Sequence, residues 1–278
     1  ADVCVIGGGL TGVNTALELA LRGHSVVLLE ARRIGWGASG RNGGQLIRGI
    51  GHDVSGFGKY VGEDGVRYLE RAGVDSVTLV AERIDEFAID CDLRWGFCEL
   101  ANTPAQFAAM REEYASLADS GYPHPIELVE PGRMHQVVAS DCYAGGLIDM
   151  GSGHLHPLDL VTGEARAASR LGVKVFEQSP VVRIEHGSQV VVHCPHGPVR
   201  ADTLVLGCNA HLLELEPELS GKLLPSGGDA HLAKLTSKQI AALRFASDDE
   251  FGALLERAAR ENLKPKDIKA AIRTWRPD

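Results

Sequence analysis

The first thirty residues change their hydrophobic period twice. Val3-Cys4-Val5-Ile6 is an unbroken apolar run, as expected of a parallel strand covered on both faces. From Gly12 the spacing turns helical: Val13, Leu17, Ala20 and Leu21 share one face, and Gly23 is placed to end the helix in a left-handed conformation. Ser25 to Leu29 is apolar again and reads as a second buried strand, closed by Glu30. The pattern predicts a βαβ unit at the head of an α/β fold.

The later pattern is mixed. Gly65 to about Phe87 has helical spacing through Val66, Leu69, Val77, Val80 and Ile84. Leu93 to Leu100 reads as a strand, and Thr103-Pro104 opens a helix to about Ser120. Ile126 to Val129 is a short strand, Pro131 opens a short helix, and Asp159 to Leu171 is an alanine-rich helix ended by Gly172. Val173 to Phe176, Val181 to Glu185, Val190 to His193 and Val199 to Arg200 read as strands separated by turns. Thr203 to Ala210 reads as a buried strand ending in small residues.

Between the first strand and helix stands Gly7-Gly8-Gly9-Leu10-Thr11-Gly12, with Gly7, Gly9 and Gly12 in G-x-G-x-x-G spacing. Gly7 permits the tight turn, Gly9 lets backbone approach a pyrophosphate, and Gly12 lets the helix pack closely on the strand. Amides and dipole at the helix N-terminus favour the diphosphate. Glu30, eighteen residues after Gly12, is placed to accept from a ribose diol and disfavours a 2′-phosphate. These residues leave FAD and NAD open as the dinucleotide.

Gly35 to Gln45 holds five glycines in eleven residues, together with Trp36, Arg41 and Asn42, and reads as backbone lying against a ligand. With the Val3–Gly12 fingerprint and Glu30-Ala31, this block resembles the FAD-dependent amine and amino-acid oxidase superfamily of D-amino-acid oxidase, sarcosine oxidase and glycine oxidase. The likeness is greatest to its gamma-glutamylputrescine oxidase-like branch. Gly145–Asp149 and Ser152–Pro157 fit the same resemblance.

The resemblance runs from residue 1 to about Leu224 and implies an α/β fold with a Rossmann-like FAD-binding domain and an incomplete α+β substrate layer; the residues beyond it read as a small α-helical C-terminal unit. It implies FAD contacts at Gly7, Gly9, Leu10, Thr11, Gly12, Glu30, Ala31, Arg32, Ser39, Arg41, Asn42, Gly43, Gly44, Val182, Gly207 and Asn209. His156 is the candidate near the flavin, with no general base named. The FAD domain is expected over 1–60 and 140–224 and the substrate-side layer over 61–139, followed by a linker and an unrelated helical tail over 225–278. The family's late flavin-enclosing segment is not found in the sequence.

Composition adds limits. The net charge of −9 argues against a nucleic-acid surface. No apolar run reaches transmembrane length and no signal peptide is read, so a cytoplasmic protein without membrane insertion is expected. The chain starts without Met, just before the first strand, which suggests an upstream segment. Six cysteines without a C-x-x-C pair read as buried reduced thiols. His154 and His156 lack a third ligand, and His193-Cys194-Pro195-His196 falls at a hairpin, so no metal is expected.

Residues 1–224 carry 18 basic and 29 acidic side chains, whereas 225–278 carry 10 and 8, with a linker expected at Pro225–Gly228. In the tail, Thr236–Gln239 and Ser247–Glu250 have capping-box spacing, and Leu254, Leu255, Ala258, Ile268, Ala271, Ile272 and Trp275 are the candidate apolar positions. Three functions follow. The first is FAD-dependent oxidation of a C–N bond in a small amine or amino acid, by hydride transfer to flavin N5 with oxygen as acceptor. The second is a non-catalytic FAD- or ADP-binding module, with a second copy or a partner chain completing the fold. The third is an NAD-linked oxidoreductase, which Gly35–Gln45 disfavours.

Overall fold

The computed structural model describes residues 1–51, 54–212, 215–216, 235–236, 239, 242–243 and 246–274. The expected linker at Pro225–Gly228 and Trp275 lie outside them. The chain divides into two compact units, 1–180 with 199–207, and 181–198 with 208–278.

In the first unit, β1 (Val3–Ile6), β2 (Val26–Leu29), β7 (Lys174–Phe176) and β11 (Thr203–Leu206) form a parallel sheet in the order β11-β1-β2-β7. Its centre is fixed by apolar content: all of β1 and β2 is buried, as a strand covered on both faces requires. Helix α1 (Leu10–Leu21) lies on this sheet through Val13, Ala16 and Leu17, and α4 (Pro157–Arg170) joins the same core through Val161, Ala165, Ala167 and Ala168. Leu21, expected on the buried face, is 44% exposed. Ala16 is buried instead, because at 3.6 residues per turn the inner face runs through Gly12, Val13, Ala16 and Leu17 and leaves Leu21 at its edge. Strand β11 is shorter than Thr203–Ala210 and only half-buried, since it is the sheet's edge.

A second sheet is antiparallel. Its long strand β6 (Gly145–His154) pairs along one edge with β4 (Arg94–Ala101). Along the other edge it pairs first with β5 (Ile126–Val129), then with β3 (Gln45–Leu46). Helix α2 (Gly58–Glu86), kinked at Gly62, and α3 (Pro104–Ser120) complete this layer. At the start of α3 the expected cap forms a full reciprocal box: Thr103 Oγ1 accepts from the Gln106 amide and Gln106 Oε1 accepts from the Thr103 amide.

The second unit holds the antiparallel pair β8 (Arg183–Glu185) and β9 (Val190–Cys194), from which β10 (Gly197–Ala201) carries the chain onward to β11. Val182 precedes β8 rather than lying in it, yet its amide still bonds the His193 carbonyl at 2.9 Å. The unit has its own apolar core, with Leu243, Leu255, Ala258 and Ile268 fully buried around α5 (Asp248–Glu261) and α6 (Pro265–Ala271). Thr236 and Gln239 form the expected box. Ser247 does not cap with its side chain, and the Glu250 carboxylate accepts from the amides of Arg273 and Thr274 rather than from that of Ser247. Of the six cysteines, Cys4 and Cys91 are buried, Cys142 is exposed and the other three are half-buried, so the expectation of buried thiols holds for two. No helix among the described residues is long and apolar enough to cross a membrane.

Candidate functional site

The turn between β1 and α1 is built from backbone. Gly7 has φ of 110°, a left-handed conformation that favours glycine, and its amide donates to the Leu29 carbonyl at 2.8 Å. A Cβ on Gly12 would lie 1.9 Å from the Gly7 oxygen, so only glycine lets the first turn of α1 sit this close to the strand end. Gly207 is the next wall: its amide donates to the Ile6 carbonyl at 2.7 Å, and a Cβ there would come within 3.2 Å of Gly12 Cα. The first-turn amides of a helix have no intrahelical acceptor. That of Leu10 donates to Ser39 Oγ at 2.9 Å, which brings the second glycine block over the first.

Glu30 is fixed by two amides. Its Oε2 accepts from Gly8 at 2.6 Å and its Oε1 from Arg32 at 2.7 Å, leaving each oxygen a further lone pair for a hydroxyl. The segment after it is clamped to the end of β7: Gln178 donates to the Arg32 carbonyl and Ser179 to that of Glu30, both at 2.8 Å. Ala31 is exposed on this segment. Arg32 and Arg41 both stack on Trp36, at 5.4 and 4.7 Å from the ring centre, so two guanidinium groups gather at the rim of the glycine turn.

Asn42 organises its own loop. Its amide nitrogen donates to the carbonyls of Ala38 and Ser39, and its oxygen accepts from Gly44 at 2.8 Å. Gly44, at φ 70°, lies where a Cβ would be 2.0 Å from the Leu155 oxygen, and Gly43 is exposed beside it. Gly7, Gly9, Leu10, Thr11, Gly12, Glu30, Ala31, Arg32, Ser39, Arg41, Asn42, Gly43, Gly44 and Gly207 therefore belong to one unit. Val182, which is 62% exposed, and Asn209, with φ of 51°, belong to the other.

A cradle of backbone amides floored by glycines, with an oriented carboxylate at the far strand end, fits a dinucleotide. His156 serves as the N-cap of α4. Its Nδ1 lies 3.3 Å from the Asp159 amide and 2.8 Å from Asp159 Oδ2, and its backbone amide bonds the Cys91 carbonyl. Among the described residues no group of three or more His, Cys, Asp or Glu could hold a metal.

Two buried polar clusters escaped the sequence reading. Asp149 of β6 pairs with Ile126 at the end of β5, beside the stretch 150–152 that lies between β5 and β3. Oδ1 accepts from Tyr122 Oη at 2.9 Å and the Gly151 amide at 2.8 Å, and Oδ2 from Arg48 Nε at 3.0 Å and Ser152 Oγ at 2.8 Å. Arg48 also reaches Glu113 at 2.5 Å. Burial, then the hydrogen bond to Asp149, pushes the Tyr122 phenol up, and burial and the Glu113 charge push Glu99 up. The second cluster joins Glu164 of α4, Asn14 and Glu18 of α1, and Arg83 of α2. Its only trace in the sequence is a charged residue on the apolar face of α4.

The parallel sheet, the glycine turn and the acid after β2 define a Rossmann-like α/β protein. Its sequence matches the family of FAD dependent oxidoreductases (DAO) over residues 2–262, and the chain belongs to that family. It is 39% identical over 241 residues to gamma-glutamylputrescine oxidoreductase of Escherichia coli K12, covering 86% of this chain and 56% of that protein. It is 26% identical over 254 residues to glycine oxidase of Geobacillus kaustophilus, covering 89% of this chain and 65% of that protein. The crystal structure of a Geobacillus kaustophilus glycine oxidase superposes with a TM-score of 0.67 at 24% identity, over 78% of this chain and 58% of that one. L-proline dehydrogenase from P. horikoshii gives 0.60 at 23% identity, over 80% and 56%. The chain spans about half the length of the first curated relatives it matches, 49% to 56%.

Proposed function

We propose that this chain binds FAD and belongs to an enzyme that oxidises a C–N bond of a small amine or amino acid. The observation that carries the reading is the Gly7–Gly12 turn joined to Ser39 and Glu30, in a chain of the FAD dependent oxidoreductase family. The relatives named for gamma-glutamylputrescine and glycine support the substrate class. Bound FAD would supply the electron sink, taking hydride from the substrate α-carbon at N5 and passing the electron pair to oxygen.

The chain's own residues bind and orient. The α1 amides, with Arg32 and Arg41 at the rim, hold the diphosphate; Glu30 holds the adenosine ribose. Ser39, Asn42, Gly43 and Gly44 run beside the phosphates and the ribityl chain, and Gly207 lies near the pyrophosphate. No base is assigned. The substrate amine enters neutral, so its own protonation sets the acid limb of the pH profile. His156 is the side chain assigned to the flavin's neighbourhood. The FAD-binding part is assigned to 1–60 and 140–224 and the substrate layer to 61–139.

An absorption spectrum of the purified chain tests this. A flavin envelope that bleaches anaerobically on adding an amine supports the reading. A colourless protein that binds ADP, or reduction of added NAD by substrate, overturns it in favour of a binding module or a nicotinamide enzyme respectively.

A further inference from the structure

Glu164 is 1% exposed, in a helix that lies against α1 within the main core. One oxygen, Oε2, accepts from Asn14 Nδ2 at 2.8 Å; the other, Oε1, is buried and meets no hydrogen-bond partner among the described residues. The same Asn14 nitrogen donates to the Leu10 carbonyl at 3.0 Å. Leu10 is the first residue of α1, directly after the Gly9 cap, so the carboxyl lies two hydrogen bonds from the turn assigned to the diphosphate.

The surroundings of Glu164 are sparse in charge. From α1 it faces Asn14, whose oxygen accepts from Arg83. From α2 comes Arg83 itself, 6% exposed, whose other nitrogen is taken by Glu18 of α1 at 2.8 Å. From the segment after α2 comes Cys91, a buried thiol pushed up by burial and then by the charges of Asp159, Asp90 and Glu164. Burial outweighs the help from Asn14 and Arg83 and pushes the Glu164 carboxyl up to about 7.

We propose that Glu164 is a positioning residue for the cofactor turn that takes up a proton and is held as the neutral acid when the diphosphate binds, so that cofactor binding is coupled to proton uptake. The geometry supplies a route for the coupling. Glu164 shares one amide nitrogen with the first turn of α1, and an ionised carboxylate there would place an anion behind the helix end that must hold another. Asn14 keeps the carboxyl and the turn in register; Arg83 holds Asn14. By reciprocity, whatever the diphosphate costs the ionised form of Glu164, ionisation costs the diphosphate.

This rests on the FAD reading, and the test separates the two. FAD binding to the full chain is followed by flavin fluorescence quenching at about pH 6 and about pH 8, for the parent and Glu164→Gln, which keeps the acceptor for Asn14 without the charge. The parent should lose roughly three- to tenfold in affinity over that range, and Glu164→Gln should lose less than half as much on a logarithmic scale. Calorimetry of the parent near pH 7, in phosphate and in Tris, should show uptake of a sizeable fraction of about one proton, a readout independent of the variant's folding. FAD binding by the parent without proton uptake, or uptake that persists in a folded Glu164→Gln chain, overturns the proposal and leaves the FAD site intact. No FAD binding at either pH overturns the FAD reading and this proposal with it.

Discussion

Gly12 and Gly9 stand three residues apart in one motif and answer to different constraints. A Cβ on Gly12 meets the Gly7 carbonyl carbon at 3.0 Å and Val5 Cγ1 at 3.3 Å, in addition to the 1.9 Å contact with the Gly7 oxygen. A Cβ on Gly9 meets only the Ser39 side chain, at 2.8 Å from its hydroxyl, which can rotate away. Gly12→Ala should therefore lower the unfolding free energy by about 2 kcal/mol or more in urea titrations. Gly9→Val should keep the fold and lose FAD, read by the flavin absorbance that survives gel filtration; a folded, yellow Gly9→Val chain would displace the diphosphate from this turn. Asp149 answers to a third constraint. Its two oxygens serve four donors, and Asn in its place turns one acceptor into a donor facing Arg48 or Tyr122. Asp149→Asn should cost about 2–4 kcal/mol in the same titrations. The glycines were legible because their spacing is local. Asp149 was not, because its donors Arg48 and Tyr122 lie 101 and 27 residues away.

Helix α4 shows how one element carries both packing and titration. Its inner face is apolar through Leu160, Val161, Ala165 and Ala168, and Glu164 interrupts that face. Because the folded carboxyl titrates about 7 against an ordinary value of 4.5, the native state holds more protons than the unfolded chain between those limits. The contribution of Glu164 to stability therefore falls as pH rises through that window, and is level below and above it. The loss is at most ~3 kcal/mol. Urea unfolding of the cofactor-free chain across this range should show the downward slope, and Glu164→Gln should remove it; an unchanged slope in the variant assigns the titration elsewhere. Helix periodicity gave α3 and α4 to within two residues at each end, because caps and breakers such as Thr103, Pro104 and Gly172 act on the nearest backbone. It missed the inward turn of Ala16 over Leu21 in α1, which depends on what α4 and the sheet present to that face.

At the scale of the molecule, two units each bury a core, and the one around α5 and α6 is centred on Leu255, 1% exposed. Leu255→Ala should cost about 2–5 kcal/mol of local stability, seen as faster hydrogen exchange in α5 and α6. The family match runs to residue 262, into α5 and through that helix, so the change of composition after residue 224 coincides with no end of the match. The amino-acid sequence by itself determined the βαβ unit, the glycine turn and the acid after β2. Each needs only a residue type at a fixed spacing: a missing Cβ, an apolar period, a carboxylate at a strand end. The tertiary structure alone decided that Asn14 meets Glu164 across 150 residues and Arg83 across 69, and that Asp149 gathers Arg48 and Tyr122. A buried polar group takes whatever partner the packing brings to it, and no local spacing encodes which residue that will be.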